Sequence, residues 1–115
     1  AGRTAEWFVE SGLMSAALHL PANNIVCVKI HGMNFSRPIH LGEVVRFDSR
    51  IVHSGRTSLV SNISVHVQDV KILEGFITFV NVDENGMPQP HGLVIKAETE
   101  EEKALQEQAG NLPKS

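Results

Sequence analysis

Several features that define common classes of protein are scarce or absent in this sequence. Cys27 is the one cysteine among 115 residues, which excludes an internal disulfide and favours a reducing compartment. A lone cysteine in an apolar stretch is also expected to be a small buried apolar side chain. No apolar run reaches the roughly 18 residues that a membrane span needs. The net charge of −3 offers no general attraction for nucleic acid. We therefore expect a soluble, cytoplasmic protein with neither a nucleic-acid nor a membrane partner.

The motifs of several enzyme classes are missing as well. The sequence has no Gly-rich phosphate loop, no Gly-x-Ser-x-Gly elbow and no cysteine pair for zinc. Its six histidines never fall at i,i+2 or i,i+4 spacing, so only tertiary structure could assemble a metal site. We expect no metal and place these histidines at the surface or at rims. The hydrophobic content of 42% predicts one domain with a modest core.

Residues 4–20 have the pattern of a buried helix. Counting from Phe8 at about 100° per residue, six positions fall on one arc of about 100°. These core positions are Ala5, Val9, Gly12, Leu13, Ala16 and Leu20. Trp7, Met14 and Leu18 form a second apolar stripe on the opposite side, which leaves a narrow polar strip. That strip consists of Thr4, Ser11 and Ser15.

Glu10 lies between the two apolar stripes of this helix, where we expect its carboxylate to be desolvated. A carboxylate in such a place could act as a general base on water or as a nucleophile on an acyl group. The first residues of the same helix offer unpaired backbone N–H groups that could hold an oxyanion. The competing interpretation is a structural ion pair between Glu10 and Arg37 or Arg50.

Alternating apolar and polar residues predict four antiparallel strands after the helix. We place them at residues 25–31, 44–53, 57–73 and 75–83, the last apolar on both faces and therefore central. Turns are expected at residues 54–56 and 84–86. Together with the helix, these strands predict an α+β domain in which a sheet curls round one long helix.

A sheet covers only one side of a helix, so the second stripe on residues 4–20 requires another cover. A partner subunit is the simplest one, and we therefore predict a homo-oligomer. The last part of the chain, residues 97–115, is a charged helix and tail with few residues to bury. Gly110 is placed to end that helix. We expect this segment to be peripheral to a domain formed by residues 1–96.

The segment 54–58, Ser-Gly-Arg-Thr-Ser, has two interpretations. As sequence alone it is typical of a plain hairpin turn. It could also bind phosphate, because Arg56 offers a guanidinium fork, Thr57 and Ser58 offer hydroxyls, and the turn offers N–H groups. The sequence leaves both open.

Taken together, these segments resemble the hotdog-fold acyl-CoA thioesterases. The resemblance covers residues 2–92 and rests on stretches that are weak singly but specific in order and spacing. They are the opening AG, WFVESGLMSAA, VKIHGMNFSRPIHLGEVV, RIVHSGRTSLVSNISVHV and FITFVNVDENGMPQP. It implies a hotdog fold in which an antiparallel sheet wraps a helix. It further implies a homodimer, often a trimer of dimers, and hydrolysis of acyl-CoA to fatty acid and CoA without a metal or organic cofactor.

The resemblance also implies roles for particular residues. Glu10 takes the place of an aspartate that activates water in the family, and Gly2 lies near the helix-start N–H that polarises the thioester carbonyl. Residues 55–58 match the segment that contacts CoA across the subunit interface. The implied CoA-binding residues are Gly55, Arg56, Thr57 and Ser58. Asn34 and Phe35 lie in a segment near the acyl site.

Two departures from the family pattern bear on activity. The family normally has a strand before the helix that carries a catalytically important Asn-x-x-Gly. This sequence begins too late to contain that first strand, so it is either a fragment or lacks the strand. Glu10 is also one methylene longer than the usual aspartate. We therefore predict an acyl-CoA thioesterase and keep a non-catalytic acyl-CoA binding or sensing domain as the alternative. A hydratase is disfavoured because Pro38 precedes His40, the reverse of the order in its His-x-x-x-Pro-Gly-like motif.

Overall fold

Within the part of the chain that the structure describes, the chain forms a four-stranded antiparallel sheet with a helix against each face. The computed structural model describes residues 2–35, 40 and 42–112, with the side chains at 2–5 and 33–35 outside that description. In chain order the elements are helix α1 (Gly2–Ala17), a 3-10 turn (Ala22–Asn24), strands β1 (Ile25–Phe35), β2 (Val45–Ser54), β3 (Ser58–Val67) and β4 (Val70–Asn81), and helix α2 (Glu100–Gly110).

The strand order is β1-β4-β3-β2, with every neighbouring pair antiparallel. This confirms the predicted central position of the doubly apolar strand, which is β4. The predicted alternation is confirmed in β3, where Leu59, Ile63 and Val65 are buried on the inner face. Asn62 and Ser64 lie on the outer face. Among the described residues, no helix has both the length and the apolar content to cross a bilayer.

The third predicted strand, residues 57–73, was wrong in length because it contains a hairpin turn. Gln68 and Asp69 have φ of 52° and 65°, and they connect β3 directly to β4. Positive φ at both central residues is typical of a type I′ turn, which Asn-Gly usually marks in a sequence. Gln-Asp gives little such signal, so the turn was missed.

Helix α1 packs its predicted core stripe against the inner face of the sheet. Phe8 and Ala16 have no exposed surface, and the Gly12 position lies within contact distance of Ile63 and Ile77. Ser15 was wrongly assigned to the polar strip, because it is buried between helix and sheet. Its hydroxyl donates to the Gly12 carbonyl at 2.7 Å and lies 2.8 Å from the Ser61 hydroxyl, which satisfies its hydrogen-bonding groups.

The predicted second stripe of α1 is uncovered by the sheet. Trp7, Met14 and Leu18 are 45%, 70% and 84% exposed. Thus this chain alone buries one side of α1 only.

Two further expectations, a buried Cys27 and histidines at the surface or at rims, were wrong. Cys27 is exposed because β1 is an edge strand. His31 is buried on the outer face of the sheet, where its ring is hydrogen-bonded to the Thr78 hydroxyl.

Helix α2 covers part of the outer face of the sheet. Leu105 and Ala109 pack with Val52 and Val60 in a cluster separate from the main core. A capping box begins the helix: the Glu102 N–H donates to the Thr99 hydroxyl, and the Thr99 N–H donates to the Glu102 carboxylate, both at 3.0 Å. Hydrogen bonds from the backbone of Thr99, then of Glu98, hold the pKa of Glu102 below its ordinary value.

We expect Gly75→Ala to disrupt the pairing of β1 with β4. A Cβ at Gly75 would overlap the Gly32 carbonyl oxygen and would lie 2.9 Å from Phe8 Cζ, so the backbone of β1 would have to move. We expect a loss of about 3 kcal/mol in the free energy of unfolding, the upper end of overpacking costs. Urea unfolding followed by circular dichroism measures it.

Gly86→Ala is the matched control, because Gly86 has φ of 78° but no atom within 4 Å of the position that an added Cβ would take. Only left-handed backbone strain applies there, at about 1–2 kcal/mol. Equal losses in the two variants would contradict the close packing of β1, α1 and Gly75.

Candidate functional site

An open groove of about 760 Å³ lies between α1 and β2. Its wall combines apolar and acidic side chains. The lining residues are Trp7, Glu10, Ser11, Met14, Glu43, Val45, Phe47, Asp48 and Ser49. The Trp7 and Phe47 rings meet edge to face with centroids 6.3 Å apart. The Ser49 hydroxyl donates to the Ser11 carbonyl at 2.7 Å and ties β2 to the helix. The groove therefore offers an apolar surface beside carboxylates.

Glu10 is exposed in this groove, so the expected desolvation of its carboxylate is not provided by this chain alone. The reason is that the second stripe beside it has no cover. The competing interpretation, an ion pair between Glu10 and Arg50, is wrong because Arg50 pairs with Glu101 at 2.6 Å on the outer face of the sheet. The other suggested partner, Arg37, lies outside the described residues.

Gly2 is the first residue of α1, as expected for a donor at the helix start. It precedes Glu10 by eight positions, which corresponds to about 12 Å along a helix axis. A base and an oxyanion donor must both lie about 3 Å from the reacting atoms. Within one copy of α1, the Gly2 N–H and the Glu10 carboxylate are too far apart to act on one carbonyl.

A second cavity, of about 380 Å³, lies on the outer face of the sheet. Three of the predicted CoA-binding residues line it. The full lining is Val28, Lys29, His31, His53, Gly55, Arg56, Ser58, Val60, Thr78, Ala109, Gly110 and Leu112. These described lining residues include two cations and no carboxylate. The cavity is therefore a local basic site on a chain whose net charge is negative.

His31 contributes a neutral polar group to this cavity. Its Nε2 lies 3.0 Å from the Thr78 hydroxyl. Burial lowers the pKa of the His31 ring, and the neighbouring Lys29 charge lowers it further. Lys29 and Arg56 are therefore the permanent charges at this site.

The predicted turn at 54–56 is confirmed, and Gly55 packs closely against the side chain of Ser58. A Cβ at Gly55 would lie 2.6 Å from the Ser58 hydroxyl oxygen. The Gly55 N–H donates to the Ser58 carbonyl at 3.0 Å, and the Asn81 N–H donates to the Thr57 carbonyl at 2.7 Å. The turn is thus joined both to itself and to β4.

The predicted site residues do not all come together within one chain. The groove that holds Glu10 and the cavity that holds Arg56 share no described lining residue. Asn34 pairs with Glu74 at one end of β4, whereas Ser58 pairs with Val80 about 20 Å away along the same strand. The side chains of Asn34 and Phe35 lie outside the described part. A joint role for these segments requires a second copy of the chain.

Sequence reasoning missed the basic cavity because its members come from all four strands, the turn between β2 and β3, and helix α2. The sequence feature that could have pointed to this cavity was strand alternation, which placed Lys29 and His31 on one face of β1. The strand order that brings this face beside Arg56 is set by long-range pairing.

Among the described residues, no group of three or more His, Cys, Asp or Glu side chains is arranged to hold a metal ion.

Comparisons with known proteins agree with this architecture. The chain is 35% identical over 83 residues to the acyl-CoA thioester hydrolase YciA of Salmonella typhimurium, covering 64% of this chain and 62% of that protein. It is 34% identical over 82 residues to YciA of Escherichia coli, with the same coverage. The chain thus spans less than two thirds of the length of these curated relatives.

A crystal structure of an apo-hexameric acyl-CoA thioesterase superposes with a TM-score of 0.85 at 29% identity, covering 96% of this chain and 73% of that one. This similarity confirms the hotdog α+β fold expected from the sequence. The family model of the Thioesterase superfamily matches residues 1–74. With a match over more than half of its length, the chain belongs to the Thioesterase superfamily.

Proposed function

We propose that this chain hydrolyses acyl-CoA thioesters to free fatty acid and CoA. The observation that carries the proposal is the position of Glu10, a carboxylate on α1 in an open groove whose other walls include Trp7, Met14 and Phe47. Such a groove can hold an apolar acyl chain beside a base that is accessible to water. The curated relatives named acyl-CoA thioester hydrolase support the same activity.

The proposed reaction uses water as the nucleophile. Glu10 removes a proton from water while the water oxygen forms a bond to the thioester carbonyl carbon. The carbonyl oxygen becomes an oxyanion, which a backbone N–H at the start of α1 stabilises. Collapse of this intermediate breaks the C–S bond, and the leaving CoA thiolate takes up the proton that Glu10 removed from water. The scheme consumes only water and calls for no metal or organic cofactor.

The N–H donor near Gly2 and the base Glu10 act on one thioester only if two copies of the chain combine. The roughly 12 Å between them within one α1 supports this composite arrangement. A second copy placed over the groove would also desolvate Glu10. We therefore place the active site between subunits of a homodimer.

The outer cavity is the proposed binding site for the phosphates of CoA. Arg56 and Lys29 supply positive charge, and the Ser58 hydroxyl lines the same cavity. Thr57 adds a second hydroxyl to the turn. Asn34 and Phe35 remain candidates for the acyl end of the site. The separation of these elements within one chain supports binding of one substrate by two subunits.

The exposed stripe Trp7, Met14 and Leu18 supports assembly through α1. Full burial of each side chain would contribute about 1.5–3 kcal/mol, enough for three such residues to favour association. A structural relative is described as hexameric, which fits a trimer of dimers. Residues 97–115 are proposed to lie outside this α1 interface, since α2 packs on the opposite face of the sheet. The cytoplasmic location stays a prediction from the sequence.

A non-catalytic acyl-CoA binding or sensing domain is the second candidate. The exposure of Glu10 favours it, since this chain alone does not enclose the carboxylate against a substrate. The two candidates share the substrate and differ only in turnover.

We expect Glu10→Gln to lower kcat by about 10²-fold or more while the fold persists, because a positioned general base typically contributes that much. Release of CoA measured with a thiol reagent gives the rate, and thermal unfolding checks the fold. Glu6→Gln, one helical turn earlier and also exposed, is the matched control and is expected to stay near wild type. Normal turnover in Glu10→Gln would remove Glu10 from the mechanism, and acyl-CoA binding without any turnover in wild type would favour the sensing domain.

We expect Arg56→Ala to raise KM for acyl-CoA by about 10-fold with little change in kcat, a loss of uniform binding worth about 1.4 kcal/mol. Initial rates over a range of acyl-CoA concentrations separate the two constants. Arg46→Ala is the control, since Arg46 pairs with Asp48 and Asp69 away from the outer cavity. A fall in kcat with KM unmoved would instead indicate a structural or transition-state role for Arg56.

Light scattering on the purified chain tests the assembly. We expect a mass of at least twice 12.6 kDa at micromolar concentration. Trp7→Glu or Leu18→Glu should shift the chain to smaller species or aggregate, because a charge on the stripe opposes its burial. Val94→Glu, at a position 79% exposed outside the stripe, is expected to leave the mass unchanged. A mass near 12.6 kDa for the unmutated chain would contradict both the interface and the shared active site.

A further inference from the structure

The segment that follows β4 folds back across the turn that connects β2 and β3. The His91 N–H donates to the Arg56 carbonyl at 3.3 Å, and the His91 ring lies with Nε2 2.8 Å from the Ser58 carbonyl. The same segment is fastened to β4, because the Asn81 side-chain amide donates to the Gln89 carbonyl at 3.1 Å. One histidine therefore contacts both sides of the turn through its backbone and its ring.

The hydrogen bonds of the His91 ring determine which nitrogen carries its proton. A carbonyl oxygen only accepts, so Nε2 must donate to Ser58. On the other side of the ring, the Leu93 N–H donates to Nδ1 at 3.0 Å, so Nδ1 must accept. The ring is thus neutral with its proton on Nε2, and both nitrogens have partners.

The turn is fixed through all three of its carbonyls from Arg56 to Ser58. The Thr57 carbonyl accepts from Asn81, and the other two accept from His91, with Gly55 as a second donor to Ser58. Arg56 and Ser58 line the outer cavity, whereas His91 is not among its lining residues. His91 consequently acts on that cavity only through the backbone that it holds.

We propose that His91 is a positioning residue for CoA recognition: its ring holds the carbonyl of Ser58, so that the side chains of Arg56 and Ser58 stay directed into the basic cavity. This inference rests on the proposed function, since it assigns His91 to the binding of the phosphates of the same substrate. The ring contributes before any ligand arrives, because its hydrogen bonds are made within the chain itself. Its loss therefore weakens substrate binding and leaves the chemical step intact.

Three variants separate the functions of the ring. His91→Ala removes both hydrogen bonds of the ring, to the Ser58 carbonyl and from the Leu93 N–H. His91→Asn offers an acceptor near the position of Nδ1 but is too short to reach Ser58, whereas His91→Gln extends an amide donor about as far as Nε2. We expect Ala and Asn to raise KM for acyl-CoA by about 3- to 10-fold at unchanged kcat, the loss typical of one hydrogen bond. Gln is expected to stay within about 2-fold of wild type.

His19→Ala is the control, because His19 is exposed at the far end of α1. Thermal unfolding checks that each variant folds, and calorimetry with CoA alone measures binding without turnover. Long-range ¹H–¹⁵N spectra of the wild-type ring are expected to show the proton on Nε2. That spectrum reports on the hydrogen bonds of His91 even if a variant fails to fold.

The outcomes separate this inference from the proposed function. If wild type neither binds CoA nor hydrolyses acyl-CoA, the proposed function fails and the role of His91 fails with it. If wild type is active, three results would each overturn the inference alone: an unchanged KM in His91→Ala, a Gln variant no better than Asn, or a ring proton on Nδ1. A rise in KM for Ala and Asn, rescued by Gln, supports it.

Discussion

The contact between α1 and the inner face of the sheet is the constraint on which the rest of the structure depends. Gly12 lets the helix approach Ile63 and Ile77, and Gly75 leaves room for Phe8 beneath the backbone of β1. Because these positions have no side chain, the helix lies close enough for Phe8 to be fully buried. The same contact determines that Glu10 lies at the rim of the groove and outside the core.

Two consequences of this packing define the functional surface. Helix α1 exposes the stripe of Trp7, Met14 and Leu18 because the sheet has only one inner face. The helix also carries the Glu10 carboxylate beside that stripe. The basic cavity lies on the outer face, which α2 and the segment after β4 help to build. The groove that holds Glu10 and the basic cavity therefore lie on opposite faces of the sheet.

Side-chain hydrogen bonds of the domain begin a helix, join elements and hold a turn. The Thr99–Glu102 capping box begins α2, and the Ser15–Ser61 pair joins α1 to β3. His91 links the end of the domain to the turn between β2 and β3. These contacts add little free energy singly, but the Ser15–Ser61 pair and the His91 ring satisfy polar groups that are wholly or partly buried. Their effect is to fix segments that carry functional side chains.

The sequence by itself determined the elements whose signal is local. The spacing of Phe8 and Ala16, the alternation in β3 and the turn at Gly55 follow from helical and strand periodicity, and the carboxylate at Glu10 was evident from its neighbours. Tertiary structure alone decided the Gln68-Asp69 hairpin and the burial of Ser15 and His31. It also decided that Lys29 and Arg56 line one cavity and that His91 contacts the turn between β2 and β3. Periodicity reports which face a side chain shares within its own element. Contacts between elements depend on strand order and register, which arise from pairings between residues far apart in the chain.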